Sequence, residues 1–260
     1  MSASPVCART VSPSEPTSPD PVDRALWSDS KLHAAGTMNY RVISIGTLSH
    51  HELWPQPSTR VPSHASTTLV RSGEKVILVD PGLPPPLIAA RLTERTGLQP
   101  TDVTDVFLTN FRPAHRRGLS AFGHARWLIG EREQETVKEH LSVALGEPCD
   151  ESTKTMIEQD LQLLQRCRTA PDRLADNVDL FPLPGFTPGT CGLLLCAARW
   201  TGLIAGDAVA TAEHLEQGRV LRGSFDATMA VQSLAEAVQI ADIIVLGHDN
   251  VVLNPTRPVV

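Results

Sequence analysis

The apolar run from Val103 to Leu108 ends abruptly in Thr109-Asn110-Phe111-Arg112-Pro113-Ala114-His115-Arg116-Arg117-Gly118, a basic loop punctuated by proline. A short unbroken apolar segment bounded by turn residues reads as a buried strand. Loops leaving such strands are where α/β folds place their chemistry. The chain is therefore expected to be α/β, with its functional residues gathered around this loop.

With 260 residues, 41% of them hydrophobic, the chain can bury one large core and is read as one principal domain. The formal charge is −6 and the basic residues are dispersed. There is no basic stripe of the kind a nucleic-acid binder carries. No apolar run approaches the ~20 residues of a membrane span, and the N-terminus lacks the apolar core of a signal peptide. The expectation is a soluble cytoplasmic protein without nucleic-acid or membrane partners. The five cysteines, Cys7, Cys149, Cys167, Cys191 and Cys196, form no CxxC pair, so neither a zinc ribbon nor a disulfide framework is indicated. Cys191 and Cys196 fall in an apolar segment and read as buried thiols.

Residues 1–37 are rich in Ser and Pro and poor in large apolar side chains, and are expected to be a disordered extension. The domain is expected over residues 38–260. Strands are expected at Tyr40 to Gly46 and, as a hairpin turning at Ser72-Gly73, at Ser66 to Arg71 and Lys75 to Val79. The Pro-rich connection holding His50, His51 and His64 is long enough to be a flap; these histidines read as solvated. A helix is expected from Leu87 to Thr96 with Gly97 as its C-cap. Further strands are expected at Ala125 to Ile129, Val178 to Pro182, Gly202 to Gly206 and Ile243 to Leu246, and a helix at Ala227 to Ile240. Helices at Glu131 to Leu145 and Thr153 to Arg168 make residues 131–170 a helical insertion. Met156, Ile157, Leu161, Leu164 and Cys167 in the second form a stripe that reads as core or lid packing.

Three motifs carry a resemblance. Leu108-Thr109 followed by the Asn110 to His115 loop, Leu183-Pro184-Gly185-Phe186-Thr187-Pro188-Gly189-Thr190, and the terminal Gly206-Asp207 and Leu246-Gly247-His248-Asp249 stand in order along the chain. They resemble the signatures of the metallo-β-lactamase superfamily, as does the hairpin ending in Asp80-Pro81-Gly82. The resemblance runs from about Tyr40 to about Leu253. It implies a four-layer αβ/βα sandwich, with two facing mixed sheets and helices outside.

The family's two-metal site maps onto positions 110, 112, 114, 115, 186, 207 and 248. His115, Asp207 and His248 match; Asn110, Arg112, Ala114 and Phe186 do not. All three histidines of the first metal position are thereby lost, while the second lacks one ligand. The resemblance thus implies a degenerate member in which di-zinc hydrolysis is not supported. The expectation is a binding or interaction protein with no cofactor. Its partner is a small molecule or a protein, either a paralogue or a second copy of itself. The alternative is a hydrolase of an ester, lactone or thioester. In that reading a single zinc, iron or manganese ion is held by His115, Asp207 and His248, and Asp249 or a loop histidine serves as proton shuttle. In the first reading the same three residues are held by hydrogen bonds alone.

Asp207 ends an apolar strand and needs a counter-charge. Arg112 is expected to pair with it, with Phe186 filling apolar space. Arg112, Arg116 and Arg117 together are read either as an anion-binding rim or as a solvated face.

Overall fold

The computed structural model describes residues 38–50, 53 and 62–256. The expected extension over residues 1–37 and most of the Pro-rich flap, His51 included, lie outside the described residues. The first sheet runs in the order β1 (Asn39–Ser44), β2 (Thr67–Ser72), β3 (Lys75–Val79), β4 (Asp105–Leu108), β5 (Arg126–Ile129), β6 (Arg168–Thr169). The β1–β2 and β2–β3 pairs are antiparallel and the next three parallel. The second sheet runs β12 (Val251–Leu253), β11 (Ile243–Leu246), β10 (Thr201–Gly206), β9 (Cys191–Cys196), β8 (Val178–Pro182), β7 (Arg173–Ala175). Only β10 and β11 pair in parallel there. Both sheets are mixed, as the resemblance implies.

The strands alternate so as to build three apolar layers. Val70, Ile77, Val79, Phe107 and Leu128 from the first sheet meet Val178, Leu193, Leu195, Ile204 and Val245 from the second. Their neighbours in sequence, Leu69, Leu78, Val106 and Leu108, face the other way and pack on Ile88 and Leu92 of α1 (Pro85–Thr96) and on Leu164. Leu203, Ala205, Ile244 and Leu246 likewise pack on Leu234 and Ala237 of α5 (Ala227–Ile240). The result is helix, sheet, sheet, helix.

The helix α1 ends as expected: Gly97 takes φ 76°, and its N–H closes on the Thr93 carbonyl. The insertion consists of α3 (Glu131–Gly146) and α4 (Glu151–Arg166), the latter capped by Asp150, which accepts the Thr153 N–H. Of the expected stripe, Leu164 and Cys167 are buried but Met156 is 59% exposed, so the stripe contributes to the core only at its C-terminal end. Cys191 is buried and Cys196 half-buried. No helix among the described residues is long and apolar enough to cross a membrane.

The layering makes a contrast that urea unfolding can check. Phe107→Ala empties the space between the sheets and is expected to cost about 3–5 kcal/mol. Met156→Ala is expected to change stability by no more than about 0.5 kcal/mol.

Candidate functional site

Parallel pairing of β3 with β4 and of β10 with β11 brings four strand ends to one rim of the sandwich. Asp80 follows β3, Thr109 and Asn110 follow β4, Asp207 follows β10, and Gly247-His248 follows β11. The two sheets are stitched there by backbone bonds from Ser66 N–H to the Gly247 carbonyl (2.7 Å) and from Cys191 N–H to the Thr109 carbonyl (2.9 Å). Gly206 has φ 54°, and a Cβ there would lie 2.6 Å from Thr109 Oγ1. Only glycine lets the chain turn so close to β4 before delivering Asp207.

His115 lies on the short helix α2 (Pro113–Arg116) and is wholly buried. Its Nε2 is 2.8 Å from Asp207 Oδ2, and its Nδ1 is 3.0 Å from Asp80 Oδ2. Asp80, in the left-handed region at φ 50°, accepts the Thr109 N–H (2.9 Å) and hydroxyl (2.7 Å). The Thr109 oxygen in turn lies 3.1 Å from His115 Nδ1. His248 approaches Asp207 from the other sheet edge, with Nε2 2.8 Å from Oδ1. Its Nδ1 faces the carbonyls of His64 (3.0 Å) and Thr47 (3.2 Å). Every ring nitrogen of the two histidines thus faces an oxygen acceptor.

Asn110 completes the cluster. Its Oδ1 accepts the Arg112 N–H at 2.9 Å, which fixes the amide so that Nδ2 donates to Asp207 Oδ2 at 2.8 Å and sits 3.4 Å from His115 Nε2. Asp207 Oδ2 therefore receives both His115 and Asn110, and Oδ1 receives His248. Burial pushes the His115 imidazole down, but the carboxylates of Asp207 and Asp80 outweigh it and hold the group up at about 10. Burial pushes Asp207 up, and this is outweighed by His115 and His248, which hold its carboxyl well below the ordinary carboxylate range.

Above the cluster is a cavity of about 280 Å³ lined by Leu48, Ser63, Arg112, Pro113, Ala114, His115, Phe186, Asp207, Leu221, Arg222 and His248. All seven positions singled out in the sequence meet here, Asn110 as the buried member underneath. Several expectations are overturned. Arg112 does not pair with Asp207; it is exposed, with its guanidinium 5.1 Å from the Phe186 ring centroid, and the nearer, shorter Asn110 takes the carboxylate instead. Arg116 is no rim residue. It stacks on Phe111 (4.4 Å to the centroid) and pairs with Asp160 of α4 at 2.6 Å. Arg117 leans out to the Ser63 carbonyl (3.4 Å). Asp249 is not placed to shuttle protons: its carboxylate accepts the N–H groups of Ala212 (3.2 Å) and Asn250 (2.7 Å), and it is absent from the cavity lining. Of the loop histidines, His50 is exposed, whereas His64 is half-buried, with Nε2 3.2 Å from the Ile45 carbonyl.

Sequence reasoning missed Glu133. It stands in the first turn of α3, 1% exposed, and its carboxylate accepts from Phe111 N–H (3.0 Å), the Thr187 hydroxyl (2.6 Å) and Gly189 N–H (3.3 Å). One side chain thus fixes both the Asn110 loop and the Phe186 loop. In the sequence it looks like any acidic residue at a helix N-terminus, since its partners are backbone groups and a hydroxyl on remote loops.

The donor set bears differently on one metal and on two. The first metal position has no ligand: Asn110 presents an N–H, Arg112 turns away onto Phe186, and Ala114 has no donor. Two ions do not fit. His115, Asp207 and His248 offer three buried ligand atoms within 4.8 Å of one another, a set that a single divalent ion accepts.

Two outcomes follow from these contacts. Glu133→Gln replaces an acceptor oxygen with a donor facing three donors, and is expected to cost about 1–3 kcal/mol in urea unfolding. His115 has a raised folded pKa, so its contribution is complete below its ordinary value of 6.5 and is lost as pH rises through about 10. Asp207 has a lowered one, so its contribution is present above the carboxylate range and lost as pH falls. In chelator, the wild type is expected to lose stability between pH 6.5 and 10 relative to His115→Gln, with a slope of at most about 1.4 kcal/mol per pH unit. Equal alkaline profiles would refute the charged imidazole.

Residues 60–147 match the family model described as the metallo-beta-lactamase superfamily, a span holding β2 to α3 and the His115 loop. No curated protein sequence matches the chain. Among solved structures, it is similar to a probable metal-dependent hydrolase from Staphylococcus aureus, at 13% identity over 84% of this chain and 92% of that one, with a TM-score of 0.63. A putative metallo-beta-lactamase from Thermotoga maritima matches at 16% identity, 83% and 99% coverage and a TM-score of 0.60. A quorum-quenching N-acyl homoserine lactone hydrolase matches at 20% identity, 84% and 93% coverage and a TM-score of 0.58. At such identities these likenesses speak for the fold. The chain has the fold of these structures, and within it residues 60–147, with the His115 loop, are similar to the metallo-beta-lactamase superfamily model.

Proposed function

We propose that this protein is a metallo-beta-lactamase-fold binding protein whose former metal position is closed by hydrogen bonds, and that it takes a small molecule in the cavity above Asp207. The observation that carries this reading is the orientation of Asn110. With its oxygen held by the Arg112 N–H, the amide directs an N–H, not a lone pair, at the point where His115 Nε2 and Asp207 Oδ2 converge. That donor satisfies the carboxylate and repels a cation. Asp207 then accepts three hydrogen bonds, and His115 places its charge between two carboxylates.

A second reading rests on the three converging ligand atoms of His115, Asp207 and His248. It is a mono-metal hydrolase of an ester, lactone or thioester, and lactone hydrolysis is the activity named for some structural neighbours. A bound divalent ion supplies Lewis acidity. The chain's own residues then hold its ligands: Asp80 orients His115, and the Thr47 and His64 carbonyls orient His248.

Elemental mass spectrometry on protein purified without chelator separates the two, with the His115→Ala/His248→Ala double variant alongside. The expected result is less than about a tenth of an equivalent of metal per chain, unchanged after zinc, iron or manganese is added back. About one equivalent in the wild type and none in the variant, together with turnover of an ester, lactone or thioester, would replace the binding reading with the hydrolase.

A further inference from the structure

Donor and acceptor bookkeeping of the cavity lining points to the chemistry of its ligand. Leu48, Pro113, Ala114, Phe186 and Leu221 offer only apolar surface. The Ser63 hydroxyl donates to the Thr47 carbonyl at 3.2 Å. Both nitrogens of His115 and of His248, and both oxygens of Asp207, are engaged within the buried cluster. The acceptors that could hold a cationic ligand are therefore already used. The cationic side chains lie at the border, where Arg112 and Arg222 both line the cavity.

Among the described residues no carboxylate lies within ion-pair distance of Arg112. Two features preset its position. Its backbone N–H is tied to Asn110, and its guanidinium lies over the Phe186 ring. An arginine stacked on an aromatic face keeps its planar fork available for a two-oxygen anion, at a smaller loss of side-chain freedom than a free one.

We infer that the cavity binds a small organic carboxylate with an apolar body, the carboxylate on the Arg112 fork and the body against Phe186, Leu48 and Leu221. This rests on the binding reading above and gives Phe186 a use: in place of a metal-ligating histidine it supplies both the platform for Arg112 and an apolar wall.

Isothermal titration calorimetry with octanoate, octyl phosphate, 1-octanol and octylamine tests it on the full-length wild type and on Arg112→Gln. Octanoate is expected to bind most tightly and to lose about tenfold in affinity in Arg112→Gln, equivalent to about 1.4 kcal/mol. Octanol is expected to bind more weakly and equally to both proteins. Phe186→Ala is expected to weaken octanoate and octanol alike, and circular dichroism confirms that each variant is folded. Tighter binding of octyl phosphate, with the same dependence on Arg112, overturns the carboxylate in favour of a phosphate head group. Equal affinity for octanoate, octanol and octylamine overturns the anion site but leaves a binding cavity standing. Failure of all four probes, in protein that carries one metal equivalent and turns over a lactone, overturns the binding reading itself.

Discussion

A carboxylate buried between two β-sheets has to be answered from both of them, and Asp207 is the residue on which this rim depends. Leaving it unpaired would cost several kcal/mol. Its three donors come from different pieces of backbone: Asn110 from the end of β4, His115 from the short helix that follows, and His248 from the end of β11. Satisfying one side chain therefore fixes the relative position of the two sheets at this end of the sandwich. The tightness shows at Gly206, where the approach to Thr109 leaves no room for a Cβ.

The same constraint explains which nearby side chain answers Asp207. Arginine at 112 is longer and fully charged, yet it is not the residue that reaches Asp207. Asn110 lies directly on the buried side, its amide spans the gap at 2.8 Å, and it brings no second full charge into a place where His115 already stands between two carboxylates. A buried guanidinium would have to desolvate five donors and find acceptors for each. On the exposed side Arg112 keeps its hydration and gains the Phe186 face. A neutral donor inside and a charged one outside is the lower-cost division.

Much of this was legible in the sequence where the signal is local. Short apolar or β-branched runs bounded by turn residues marked β2, β3, β10 and β11, and Gly97 marked the end of α1. The order of the Asn110 loop, the Phe186 loop, Asp207 and His248 gave the members of the site before any geometry was known. What could not be read was partner choice. Arg116 is held by Asp160, 44 residues away on α4, and Glu133 is held by backbone groups of two loops. Nothing in a one-dimensional pattern separates such a buried carboxylate from a solvated one in the first turn of a helix. The exposure of Met156 is a related case: helical spacing defines a stripe, but which part of it is covered depends on the tertiary packing.

The parts that hold the cavity differ from the cluster of His115, Asp207 and His248 at its floor. The walls are set by Glu133, which pins both flanking loops, and by the apolar layers beneath; none of these needs an ion. At the cavity floor the side chains of Asn110, His115 and His248 point inward onto Asp207. Arg112, over the Phe186 ring, stands at the border of that cavity. In the binding reading proposed above, recognition falls to the charged group at the mouth of the cavity. The scaffold does not decide the chemistry, which follows from which atoms have a free lone pair or N–H.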